Sequence, residues 1–212
     1  MSQVSYLRNN MNKPVFIDFG CGPNMTYSIK YKSKGYYIVI IERSEKYLYE
    51  NSDMDHPDIE WFKVIADEIS FFDITDLSKS VTHKADVWNC SSVLEHVDPH
   101  DIDPFLTGLK NNCKDKSEGL IHIDLTDHFG DFKHRTTPEN YSHFIKNFYQ
   151  EKEWYEIIEK HFTIKAWRKL FWYEDSPDNS PDKKYYHILG TKNKDMIVNS
   201  ENCMAVDFTV YT

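Results

Sequence analysis

Two stretches of the chain set a carboxylate beside a turn that could bring it to a ligand. The first is Val15-Phe16-Ile17-Asp18-Phe19-Gly20-Cys21-Gly22-Pro23-Asn24, an apolar run that ends in Asp18 and bends through Gly20, Cys21 and Gly22. Glycine at both ends of that bend lets the backbone turn sharply and come close to a bound molecule, because no Cβ intervenes. A helix opening just after it would aim free backbone N–H groups at the same place. The second is Tyr36-Tyr37-Ile38-Val39-Ile40-Ile41-Glu42, a continuous apolar run closed by Glu42. An acidic residue about 20 positions beyond a glycine turn, at the end of the next strand, is placed to accept from both hydroxyls of a ribose. A dinucleotide fingerprint would carry a third glycine at position 25, where this chain has Met25.

Further groups able to handle protons or grip a nucleoside follow in order along the chain. Asp73 and Ile74 come after the pair Phe71-Phe72. Asn89, Cys90 and Ser91 end the run that begins at Ala85, and Leu94-Glu95-His96-Val97 follows. Beyond Leu120-Ile121-His122-Ile123-Asp124-Leu125 comes Thr126-Asp127-His128-Phe129-Gly130-Asp131. An imidazole titrating near neutrality suits the removal of a proton from a hydroxyl. The candidates are His96, His128 and His134, with Asp98, Asp127 and Asp131 as orienting or alternative bases, and His128 favoured because it follows a strand directly. No metal site is expected from the scattered histidines and cysteines.

The elements that must position these groups read as alternating strands and helices. Strands are expected over 14–19, 36–41, 69–73 (or, less favourably, 61–67), 85–90 and 120–125. Helices are expected over about 25–33 and 99–114, and over 138–161 with a break near 148–150. Continuous apolar strands of this kind are buried on both faces of a parallel sheet. Strands over 162–173 and 185–191 flank a Pro- and Asp-rich turn and are expected to form an antiparallel hairpin at one edge, and 204–211 reads as one more edge strand. The fold class is therefore α/β: a doubly wound, mostly parallel, seven-stranded sheet with helices on both faces. Trp167, Phe171, Trp172, Tyr173, Tyr185 and Tyr186 read mainly as core residues.

Taken together, Asp18-x-Gly20-x-Gly22, Glu42, the Asp73-Ile74 loop and the segment from Asn89 to Val97 resemble the class I S-adenosylmethionine-dependent methyltransferases. The resemblance covers roughly residues 14–140, and it departs from the family at Asn24, where a third glycine is usual. It implies S-adenosyl-L-methionine as cofactor. Asp18, Gly20, Cys21 and Gly22 would lie at its methionine end and Glu42 on its ribose. Asp73 and Ile74 would meet the adenine, and Asn89 and Cys90 the methionine portion or the methyl group. A looser similarity, of Asp124-x-x-Asp127-His128-Phe129 to methyltransferases near bacterial surface-glycan clusters, hints at a sugar-like hydroxyl acceptor.

Composition sets the outer limits. The chain has 212 residues, 40% hydrophobic and 15% aromatic, the profile of one globular domain. Residues 1–13 read as an N-terminal arm and about 126–160 as a substrate-side insertion. A formal net charge of −9 disfavours a nucleic-acid substrate. No apolar run approaches the roughly 20 residues a membrane span needs. Four cysteines without C-x-x-C spacing, and a polar N-terminus, lead to an expectation of free thiols in the cytoplasm. A non-catalytic binding module of the same fold is the alternative to an enzyme.

Overall fold

The computed structural model describes residues 13–22, 25–45, 59–125, 146–147, 149–171, 186–190 and 203–212. They form eight strands: β1 (Val15–Phe19), β2 (Tyr37–Glu42), β3 (Glu68–Phe71), β4 (Ala85–Ser91), β5 (Cys113–Asp124), β6 (Thr163–Phe171), β7 (Tyr186–Gly190) and β8 (Cys203–Tyr211). Four α-helices accompany them: α1 (Thr26–Ser33), α2 (Ile59–Ile65), α3 (Ile102–Asn111) and α4 (Glu151–His161). The strands make one sheet in the order β3-β2-β1-β4-β5-β8-β6-β7. From β3 to β5 every pairing is parallel, and the three pairings from β5 through β8 and β6 to β7 are antiparallel. The order reverses between β1 and β4, the switch point at which open α/β sheets bind ligands beyond the strands' C-terminal ends.

Strand alternation divides the core into two layers. Phe16, Ile38 and Ile40 face Met25 beside α1 and Phe62 of α2. Ile17, Phe19, Trp88, Ile121, Ile123 and Phe208 face α3 and α4, through Leu106, Leu109, Trp154 and Ile158. Two glycines let the second layer close. A Cβ at Gly119 would lie 2.0 Å from the Trp88 indole, and one at Gly108 would lie 1.9 Å from the Ile74 carbonyl oxygen. Among the described residues no helix is long and apolar enough to cross a membrane.

The doubly wound class and its antiparallel β6–β7 edge match the sequence reading, with corrections of detail. The sheet has eight strands, because Cys203–Tyr211 joins it as β8 between β5 and β6. This strand is interior and not at an edge. Ala205, Val206, Asp207, Phe208 and Val210 are all buried, which only a strand covered on both faces and paired on both sides achieves. β5 begins at Cys113, well before Leu120: Cys113 is paired with Ala85 of β4, the register then shifts, and pairing with both β4 and β8 runs on from Glu118. The segment around Trp61 is helical, so β3 is the later of the two stretches weighed. Helix α4 starts where the break was expected, fixed by a capping box between Gln150 and Glu153.

Candidate functional site

The turn after β1 is left-handed at Gly20 (φ 68°) and Gly22 (φ 56°), a region costly for residues with a Cβ. At Gly20 the space is also closed, since a Cβ would lie 2.5 Å from a methyl of Val93. Met25, the residue before α1, is likewise left-handed (φ 43°) and fully buried, and Ser92 just past β4 is left-handed too (φ 53°) but exposed. Strain of this kind gathers on both sides of the switch point, and such strain concentrates at ligand sites.

Asp18 is 1% exposed. Its Oδ2 accepts from Ser28 Oγ of α1 at 2.7 Å, and its Oδ1 accepts from Asn89 Nδ2 of β4 at 2.8 Å. Burial raises its pKa above the ordinary carboxylate value, and these neutral donors oppose the rise. Glu42 closes β2 beside it. Burial lifts the Glu42 carboxyl to about 7, against backbone N–H bonds from Arg43 and Gly22, with the Asp18 charge adding to the rise. The Gly22 N–H therefore ties the glycine turn to the tip of β2. The Arg43 side chain turns away to Asp73, at 3.2 Å. Among the described residues, the hydrogen bonds to Asp18 and Glu42 come from neutral donors. Cys21 sits between them, its thiol pushed well up by burial and then by the charges of Asp18 and Glu42.

Asn89 couples Asp18 to the end of β4: its Nδ2 donates to Asp18, and its Oδ1 accepts from Ser91 Oγ at 2.8 Å. Cys90 points the other way. It is fully buried in the layer facing α3, because alternation sends Asn89 and Ser91 to one face and Cys90 to the opposite one. Only its backbone can reach the cleft side. Asp73 lies two residues past β3, where its Oδ1 caps a turn by accepting from the Thr75 N–H and hydroxyl. Ile74 is buried against α3, so its side chain belongs to the core.

After β4 a short 3-10 turn, Leu94–His96, carries Glu95 and His96. Glu95 is buried and raised to about 7 by desolvation, with Oε1 accepting from the Asp124 N–H at 3.3 Å. Its own carbonyl accepts from the Lys146 N–H at 2.9 Å. His96 is half-buried on the same turn. His96 and His100 are four apart but stand on two separate turns, Leu94–His96 and Pro99–Asp101. Among the described residues no group of three or more His, Cys, Asp or Glu gathers as a metal site. Asp127, His128, Asp131 and His134 lie outside the described residues.

Sequence reading missed Ser28 and the group His122, Asp207 and Arg168. Ser28 has no local signature. The alternation in Leu120-Ile121-His122-Ile123-Asp124 did carry a signal, since it puts His122 and Asp124 on the face of Asn89 and Ser91.

No protein-family model and no curated protein sequence matches the chain. Solved structures do. One is a SAM-dependent methyltransferase from Archaeoglobus fulgidus, at 12% identity and TM-score 0.60, covering 99% of this chain and 90% of that one. Another is the magnesium protoporphyrin IX methyltransferase of Synechocystis with bound S-adenosylhomocysteine (SAH), at 14% identity and TM-score 0.55, covering 98% and 78%. A third is the N-methyltransferase NodS of Bradyrhizobium japonicum, at 9% identity and TM-score 0.53, covering 99% and 93%. The fold is that of the class I S-adenosylmethionine-dependent methyltransferases.

Proposed function

We propose that this chain binds S-adenosyl-L-methionine and transfers its methyl group to a hydroxyl of a small molecule or glycan. The observation that carries the reading is the pairing of Asp18 and Glu42 at adjacent strand tips, the first buried and the second half-buried around a glycine turn, with neutral donors at both. Such a corner disfavours a pyrophosphate and favours a ligand that brings positive charge and hydroxyl donors. S-adenosylmethionine carries both. Glu42 keeps lone pairs for a ribose diol beside its two backbone bonds, and Asp18, Gly20, Cys21 and Gly22 suit the methionine end. Asn89 is the positioning partner of Asp18, and Asp73 stands at the adenine side. The core placement of Ile74 and Cys90 leaves their backbones for any contact.

The cofactor supplies an activated methyl group, so the protein's task is alignment and proton removal. Alignment alone is worth several kcal/mol. Hydroxyl acceptance fits His96 just past β4 and the candidates Asp127 and His128, which follow β5 in sequence. The test is calorimetry of the full chain with S-adenosylmethionine and SAH, then a screen of nucleotide sugars as acceptors by SAH release. Binding of both cofactor forms supports the reading. Absence of binding at millimolar ligand would leave only the fold, as a non-catalytic module.

A further inference from the structure

A row of polar side chains crosses the α1-facing side of the sheet from the cofactor corner outward. Ser91, the last residue of β4, is register-paired with His122 of β5, His122 with Asp207 of β8, and Asp207 with Arg168 of β6. Partners directly opposite on neighbouring strands share a face. His122 Nδ1 meets Asp207 Oδ1 at 2.5 Å, and Asp207 Oδ2 accepts from Arg168 Nε at 2.5 Å. The Asp207 side chain is 6% exposed and that of His122 27%, so a buried carboxylate holds a ring that still reaches the surface. Tyr27 of α1 closes the row, hydrogen-bonded to Ser91 and within the field of Asp207. The other ring nitrogen, Nε2, meets no polar partner among the described residues.

This arrangement has the parts of a base held by a third group. His122 stands two residues from the C-terminal end of β5, the edge at which such sheets bind ligands. Asp207 fixes the tautomer that carries the proton on Nδ1 and leaves the lone pair on Nε2. Given the cofactor reading above, we propose that His122, oriented by Asp207, is the group that takes the proton from the methyl acceptor, and that the acceptor therefore presents a hydroxyl. The acceptor oxygen bonds to the methyl carbon as the carbon–sulfur bond breaks and its electron pair stays on sulfur. The hydroxyl proton passes to Nε2 and from there to water.

The surroundings tune the ring for that task. Burial alone would lower its pKa. The Asp207 hydrogen bond and charge, with the charges of Glu95 and Asp124, more than offset this and leave it raised. Arg168 counters part of that field through Asp207, and Tyr27 stays neutral, its own pKa raised by burial. A ring whose pKa is raised in this way pulls more strongly on the proton it takes.

Nuclear magnetic resonance (NMR) of the full chain tests this without knowledge of the acceptor. S-adenosylmethionine and SAH differ by the sulfonium charge. Beside the methyl-transfer site, that charge should lower the apparent pKa of His122 by about one unit relative to the SAH complex. The ring resonances of His161, bonded to Asp103 and serving as the internal reference, should be the same in both complexes at any one pH. His122→Gln assigns the resonance. Asp207→Asn, which should lower the same pKa, assigns it independently if the first variant does not fold. Equal His122 titration in both complexes would overturn the proposal, as would a shift confined to His96 or His128. Failure of either ligand to bind would instead overturn the cofactor reading on which it rests.

Discussion

Glu42 makes cofactor affinity a function of pH, and the size of the effect follows from its surroundings. Its carboxyl is held at about 7 in the free protein by burial. Ribose hydroxyls donate, so they bind the ionised form. The sign then follows: below pH 7 the group must first lose a proton, and affinity rises with pH until the free carboxyl is fully ionised. With a free pKa of 7 and a bound pKa at the ordinary value or below, the ionised fraction climbs from about 0.09 at pH 6 to about 0.91 at pH 8, an increase of about tenfold in affinity. The probe is 5′-methylthioadenosine, which keeps the adenine and ribose but lacks the amino group whose own titration would confuse the profile. Calorimetry in constant ionic strength across that range should show the slope for the wild type. Glu42→Gln should flatten it and weaken binding by about 1.5–3 kcal/mol, the range for hydrogen bonds to a charged group. A flat wild-type profile, or an unchanged slope in the variant, would refute the placement of the ribose on Glu42.

Asp18→Ala removes the acceptor shared by Ser28 and Asn89, and should weaken S-adenosylmethionine binding by about 1–3 kcal/mol with the fold retained, read by calorimetry and circular dichroism. Gly108→Ala sets a methyl against the Ile74 carbonyl oxygen. The gain in helix propensity, about 1 kcal/mol at most, should lose to overpacking of about 1–3 kcal/mol, so the melting temperature should fall. Lys169→Met strands Glu151, whose Oε1 accepts from the buried Lys169 Nζ at 2.6 Å. Urea denaturation should show a loss of about 3–5 kcal/mol, largely recovered by pairing the change with Glu151→Leu.

The parts of the site that sequence revealed are local. Asp18, the glycine turn and Glu42 lie within 25 residues and their roles follow from backbone conformation at each strand end. The parts that escaped it depend on which strands become neighbours. His122 and Asp207 are 85 residues apart, and they meet only because β8 inserts beside β5. Reading 204–211 as an edge strand hid that neighbour. Cys90 shows a different limit: its place at the strand end says nothing of the alternation that sends its side chain into the core. Ile74 shows the same limit, since an apolar residue after β3 can cover a ring or fill the space under α3, and Gly108 opens that space for it.

The Leu94–His96 turn also has an evolutionary consequence. Glu95 takes the N–H of Asp124 on its side chain and the N–H of Lys146 on its carbonyl, and Asn147 Nδ2 donates to the carbonyls of Leu94 and Val97. The end of β5 and the chain approaching α4 are thus knotted to one post. A change at Glu95 would be felt at both places together, so drift at this turn is constrained from two sides at once.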